Sequence, residues 1–162
     1  MSEKNLCGMT AEQVFERYHE TVYRLAFART KNRFDAEDVL QTVFLKLLKC
    51  DTYFSDPEHI KAWLIKVTVN TSKNLLTSAW VRLTEGLKDE LTADDYKSFE
   101  VYSVVMGLPL KYRTVIHLFY YEGYSCAQIA AILDTKEATV KTRLKRARER
   151  LKSDLKGESF DV

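Results

Sequence analysis

Residues 125–154 read SCAQIAAILDTKEATVKTRLKRARERLKSD, and this stretch decides how the whole chain is interpreted. Ser125-Cys126-Ala127-Gln128 is a capping box, in which the Ser hydroxyl and Gln amide satisfy backbone N–H groups at a helix start. It opens a short helix that Asp134-Thr135 breaks. A longer helix follows from Lys136 to about Asp154. Val140, Leu144, Ala147 and Leu151 are spaced four, three and four, an inward seam. Lys141, Lys145, Arg148 and Lys152 repeat that spacing one position on, a basic stripe beside the seam. Small Ala130 and Ala131 are expected to let the two helices approach closely. A short helix, a tight turn and a basic second helix match the helix-turn-helix unit, whose second helix fits the major groove of DNA. A charged face alone also describes a solvated surface helix. The capped helix before it and the short turn favour DNA contact.

The charge distribution agrees. The 162 residues carry a net charge of only +2, but Lys136–Lys156 holds nine basic residues against three acidic ones. From Val81 to Glu100 the sign reverses, with six acidic residues against three basic. A basic C-terminal segment behind an acidic stretch points to nucleic acid. Hydrophobic residues make up 46%, enough for packed cores, while five Gly and two Pro are few for a turn-rich β fold. The expectation is all-α: two small helical domains joined by a flexible acidic linker, at 1–80, 81–98 and 99–162.

Upstream, Thr10-Ala11-Glu12-Gln13 is a second capping box, followed by Val14, Tyr18, Val22 and Leu25 at helical spacing. Asn32-Arg33-Phe34 interrupts the pattern, and Asp35 is expected to restart it as an N-cap. Val39, Leu40, Val43, Phe44, Leu47 and Leu48 form the next apolar stripe. Pro57 opens a third helix, buried through Ile60, Trp63, Leu64 and Val67. Val67-Thr68-Val69-Asn70-Thr71-Ser72 then lacks any strong helix former. Two readings stay open there: a helix carried through by packing, or an irregular loop with Leu75 and Leu76 resuming a helix. Near the linker's far side, Phe99, Tyr102, Val105 and Met106 suggest a helix ending at Gly107-Leu108-Pro109. Leu110, Tyr112, Val115, Ile116 and Phe119 continue that core, and Gly123 stops the helix.

Cys7, Cys50 and Cys126 are odd in number and form no C-x-x-C pair, and His19, His59 and His117 are isolated. Thiols in a reducing cytoplasm are expected, with no metal site, no cofactor and no small-molecule substrate. No Gly-rich phosphate loop or Cys/His pair suggests an enzyme. No run of signal-peptide or membrane-spanning character appears, so no direct membrane insertion and a soluble, cytoplasmic protein are expected.

Several motifs together resemble a known family. Leu108-Pro109, Tyr112-Arg113, Gly123-Tyr124-Ser125, Gln128-Ile129-Ala130, Thr139-Val140-Lys141-Thr142-Arg143 and Arg146-Ala147-Arg148 resemble the promoter-binding domain of extracytoplasmic-function sigma factors. Asp35-Ala36-Glu37-Asp38-Val39-Leu40-Gln41-Thr42-Val43-Phe44 resembles that family's polymerase-binding helix. Trp63-Leu64 followed by Val69-Asn70 resembles its promoter-melting segment. The likeness covers residues 10–155 in the family's order.

The resemblance implies core RNA polymerase, promoter DNA and an anti-sigma factor as partners. It places Asp35, Asp38, Gln41 and Phe44 against polymerase, although Asp38 also reads as a first-turn dipole partner and Phe44 as core. It assigns the melted minus-ten strand to Phe54, Lys66, Asn70, Thr71 and Lys73. Asn70 would supply an amide to an extruded base, with Phe54 as its aromatic wall or as a plain hydrophobic plug. Lys141, Thr142, Lys145 and Arg146 would meet the minus-thirty-five element, and Thr139, Arg143 and Arg148 would hold phosphates. Many relatives carry Asp and Arg where this chain has Asn74 and Thr77, so their minus-ten preference does not transfer. The acidic linker would imitate RNA in the exit region of polymerase, or serve as a solvated tether. The rival reading is a conventional helix-turn-helix regulator that binds DNA as a dimer without polymerase.

Overall fold

Thr10 accepts a hydrogen bond from the Gln13 amide at 3.1 Å, and Gln13 returns one from the Thr10 N–H at 2.9 Å. This box starts α1 (Ala11–Thr30) in the computed structural model, which describes residues 6–83 and 100–157. Lys31, left-handed at φ 57°, ends α1 and donates its N–H to Phe27. α2 (Arg33–Lys49) begins immediately after. Its N-cap is Asn32, whose amide oxygen accepts from the Asp35 N–H at 2.9 Å. The expected cap at Asp35 is thereby corrected. Two capping residues stand three apart, and Asn32 reaches the N3 amide, leaving Asp35 inside the first turn. α3 (Pro57–Leu83) opens at Pro57, as expected.

α1, α2 and α3 pack into one unit, separate from a second unit formed by the later helices. Val14, Val22, Leu25, Ala36, Val39, Val43, Leu47, Ile60, Leu64 and Ile65 fill the first core. Each such Val, Leu or Ile side chain contributes about 1.5–3 kcal/mol on burial. Phe54 plugs one end at 1% exposure, edge-on to His59 and Trp63.

α3 runs unbroken through the segment from Val67 to Ser72, so the loop reading is overturned. Packing overrides propensity there. Thr68, Val69, Thr71 and Ser72 are buried, and their hydroxyls are satisfied inside the unit. Thr68 donates to the Leu64 carbonyl at 2.6 Å and Ser72 to the Val69 carbonyl at 2.9 Å. Such back-bonding lets Ser and Thr sit in a helix interior. Buried Arg29 of α1 donates through Nε to Ser72 Oγ at 2.6 Å, and Lys46 of α2 donates to Thr71 Oγ1 at 3.0 Å. α3 continues past position 80 to Leu83, into the stretch expected to be linker, and 84–99 lie outside the described residues.

In the second unit α4 (Glu100–Met106) ends at Gly107, and α5 (Leu110–Ile116) starts after Pro109. Arg113 is buried and caps the intervening turn by donating to the Leu108 carbonyl at 2.7 Å. α5 passes into a π-helical turn, His117–Tyr121, closed by a bond from the Glu122 N–H to the His117 carbonyl. The 3.6-residue period fails across this wide turn. Leu118 is fully enclosed there, and Phe119, expected in the core, is half-exposed. Gly123, at φ 74°, supplies the left-handed residue that ends the segment.

α6 (Cys126–Leu133) and α7 (Glu137–Gly157) complete the unit. Ile129, Ala130 and Ile132 pack against Val140, Leu144 and Ala147, with Leu151 half-buried at the end of the seam. Ala130 is the close-approach residue; Ala131 faces solvent, one position round the helix. Every regular element among the described residues is helical.

Candidate nucleic-acid interface

The α6–α7 pair is built as the sequence pattern requires. Ser125 caps α6 through both bonds of its box, at 3.2 and 2.9 Å. Asp134, left-handed at φ 53°, turns the chain, and the Thr135 N–H bonds back to the Ala130 carbonyl at 2.9 Å. Three residues therefore separate α6 from α7, and the first turns of α7 bury Val140 and Leu144 while their opposite side faces solvent. Lys141, Thr142, Lys145 and Arg146 are exposed, while Thr139 and Arg143 are half-buried along one flank.

Local contacts restrain some of these groups. Lys141 lies 3.5 Å from Glu137 one turn earlier, an exposed pair worth little in water. The Thr142 hydroxyl donates to the Ala138 carbonyl at 3.0 Å. Arg148 departs most from the expectation of a plain phosphate anchor. Its Nε donates to the Tyr120 hydroxyl at 2.6 Å, and its guanidinium lies over the rings of Phe119 and Tyr120. Arg150 similarly covers the ring of Tyr112.

The exposed face of α2 has another character. Asp38 and Gln41 face solvent, in line with Phe34 at 71% exposure, Leu45 at 54% and Leu48 at 50%. Positions 34, 38, 41, 45 and 48 follow the four-three-four-three spacing of a single helical stripe. Leu48, expected in the core, belongs to this outer stripe. Phe44, left open between core and contact, is 9% exposed and sits edge-on to Phe15 at 4.9 Å. Its place is in the core wall. Asp35 is half-exposed at the helix start. Phe34, Leu45 and Leu48 were missed as surface residues. Their signal was available: α2 carries more apolar residues than one buried stripe can hold.

Two independent family matches coincide with these two units. Residues 14–82 match Sigma-70 region 2, and residues 98–151 match Sigma-70, region 4. RNA polymerase sigma factor SigV of Bacillus subtilis is 32% identical over 148 residues, spanning 88% of this chain and 89% of that protein. The chain belongs to the sigma-70 family of RNA polymerase sigma factors. ECF RNA polymerase sigma factor SigM of Mycobacterium tuberculosis is also 32% identical, over 86% of this chain and 74% of its own. The fold matches that of the sigma factor RpoE, solved in complex with the anti-sigma factor NepR from Bartonella quintana. That match has a TM-score of 0.73 at 23% identity and covers 90% of this chain and 96% of the other.

This sigma factor is thus a promoter-specific transcription initiation factor that works with core RNA polymerase. The match to region 2 leaves the dimeric-regulator reading without an account of the first unit. Among the described residues, no helix is long and apolar enough to cross a membrane, and no cluster of His, Cys, Asp or Glu could hold a metal.

At and before α3 of the sigma factor, one open alternative is decided and one expectation is corrected. Phe54 is the hydrophobic plug, with no face open to a base. Thr71 is turned inward and held by Lys46. Lys66, Asn70 and Lys73 are exposed, spaced four and three along one side of the continuous helix. The expected base pocket in an irregular loop at Asn70 is therefore replaced by a straight polar stripe.

Proposed function

We propose that α7 enters the major groove of the minus-thirty-five element, with α2 seated on core polymerase and α3 holding the separated minus-ten strand. The observation that carries this is the shared exposure of Lys141, Thr142, Lys145 and Arg146 at the start of a helix presented by a capped partner and a tight turn. Lys145 and Arg146 carry donors suited to guanine O6 and N7, and each good bidentate contact discriminates by about 1–3 kcal/mol. Thr139 and Arg143, on the flank, suit phosphate oxygens.

On α2 the outer stripe combines the Asp38 charge and the Gln41 amide with the apolar surface of Phe34, Leu45 and Leu48. That mixture suits a protein partner better than a nucleic acid. Asp35 borders it, and Phe44 supports it from within. On α3, Lys66 and Lys73 hold single-strand phosphates on either side of Asn70, whose amide meets a base edge. Phe54 and Thr71 stiffen this helix from behind. Strand opening needs no bond-making chemistry, so the protein acts as a cytoplasmic binding factor and not as an enzyme. The working domains are 1–80 and 99–162 with 81–98 as tether, α3 extending slightly beyond the first boundary. The fold shared with a sigma factor solved on its anti-sigma partner supports an anti-sigma protein that covers the α2 stripe.

The deciding experiment is transcription from a promoter library by purified core polymerase, with and without this protein. Initiation from a defined promoter set is expected. It should be lost on Asp38→Ala with Gln41→Ala through weaker core binding, and on Lys145→Ala with Arg146→Ala through weaker promoter binding. Dimeric binding to duplex DNA with no effect on polymerase would overturn the assignment.

A further inference from the structure

Tyr120 and Arg148 form a surface device that neither the basic stripe nor the core explains. Tyr120 is 55% exposed, so burial gives it little. It projects from the π-helical turn at His117–Tyr121 and meets Arg148 across the domain surface, accepting from Nε at 2.6 Å. The guanidinium carbon stands 5.5 Å from the centroid of the Phe119 ring and 5.6 Å from that of Tyr120, and the two rings meet edge to face. A guanidinium carries five N–H donors. The Tyr hydroxyl takes the one on Nε, and the two Nη groups make no hydrogen bond among the described residues. That outer edge is the fork that meets two phosphate oxygens in parallel.

The chemistry of the acceptor matters. A carboxylate in this position would orient Arg148 but neutralise it. A phenol and two ring faces orient it and leave its charge whole. Arg148 is third in the stripe Lys141, Lys145, Arg148, Lys152, so the fixed fork continues the line of cations beyond the base-reading end of α7. A free arginine loses side-chain entropy when it clamps a phosphate; one already held on two rings loses less.

We propose that Tyr120 is a positioning residue that presents Arg148 to a single backbone phosphate flanking the minus-thirty-five element. This rests on the reading of α7 as the DNA-binding helix. The competing account is a clip that merely ties α7 to the turn before α6.

The test uses the full chain assembled with core polymerase, on a duplex promoter selected from the transcription library. Binding is measured over a range of salt concentrations. Arg148→Met should lower affinity and flatten the plot of log K against log salt by about 0.9, the loss of one phosphate contact. Tyr120→Phe, which keeps the ring and removes the acceptor, should weaken binding about two- to fivefold, at the low end of what one net hydrogen bond contributes, because the Phe119 and Tyr120 ring faces still hold the guanidinium. On the Arg148→Met background, Tyr120→Phe should cost nothing further, and base preference should be unchanged in all variants. An unaltered salt slope in Arg148→Met, or an equal cost of Tyr120→Phe in both backgrounds, overturns the proposal and leaves the clip. If Lys145→Ala with Arg146→Ala also leaves binding and slope unchanged, the reading of α7 itself fails.

Discussion

The outer faces of α7 and α2 are both stripes at helical spacing, yet they teach opposite lessons about reading a sequence. α7 exposes Lys141, Lys145, Arg146 and Arg148, and α2 exposes Phe34, Leu45 and Leu48 beside Asp38 and Gln41. Charged side chains are almost never fully buried unpaired, so a run of them marks a surface whatever the fold. An apolar side chain carries no such mark. It lies in the core or on a docking face, and only packing separates the two. Charge also suits a partner that is uniformly anionic, while a mixed apolar stripe suits one matched in shape.

The sharpest way to break this comparison is to strip the cations from α7. Lys145→Ala with Arg146→Ala should remove about 1–3 kcal/mol per base contact, lowering promoter affinity of the holoenzyme on the order of a hundredfold. The salt dependence should flatten if either residue also meets a phosphate. Core polymerase affinity, measured separately by titration of labelled protein, should not move. A parallel loss of core affinity would mean that the two faces are not functionally distinct.

The reciprocal change is Leu45→Ser with Leu48→Ser. Both are about half exposed, so thermal stability should stay within about 0.5 kcal/mol of the parent. Core polymerase affinity should fall tenfold or more, because complete burial of a leucine is worth about 1.5–3 kcal/mol and part remains unused in the free protein. This loss should be nearly independent of salt, unlike the loss on α7. A stability drop of several kcal/mol with intact core binding would return both leucines to the core.

Much of the architecture was legible because periodicity and capping are local. The all-α class, the start of α3 at Pro57, both capping boxes and the seam Val140, Leu144, Ala147, Leu151 all follow from spacing and residue type. The misreadings occurred where a distant contact or a local change of backbone geometry decided. The weak helix formers from Val67 to Ser72 left a break in α3 open, but burial carries the helix through, and Arg29 and Lys46, from two other helices, bond the Ser72 and Thr71 hydroxyls. Asn32 took the cap from Asp35 because reach, not residue class, chooses between two good caps. Phe119 fell out of the core because a π turn resets the period. Tyr120 was invisible as a functional candidate, since its partner lies 28 positions away on another helix.

The contact at Ser72 offers a third test. Ser72→Ala removes the acceptor that Arg29 meets at 2.6 Å within a buried site. A hydrogen bond to a charged group is worth about 1.5–3 kcal/mol, and its loss should appear as a lower unfolding midpoint. The destabilisation should be confined to the first unit. Trp63 fluorescence would report it, and promoter specificity at the minus-thirty-five element should be retained. Equal destabilisation of the second unit would show the two units to be thermodynamically coupled.

The smallest expected effect sharpens the comparison most finely, because the same chemistry occurs once in each unit. Thr10 and Ser125 close equivalent capping boxes, so Thr10→Ala and Ser125→Ala should each cost about 1 kcal/mol. Their consequences should differ. α1 has 20 residues and a broad buried face, and fraying its first turn leaves the α2 stripe untouched. α6 has eight residues, and its end at Asp134 sets where α7 begins. A frayed α6 therefore loosens α7 as well as itself. Hydrogen exchange should show faster opening of α7 in Ser125→Ala, with a two- to fivefold loss of promoter affinity, within the cost of that one cap. Thr10→Ala should show local exchange at α1 alone, with core binding preserved. If the two substitutions instead lowered stability alike and left both binding functions intact, α7 would be held by its own seam and not by the short helix before it.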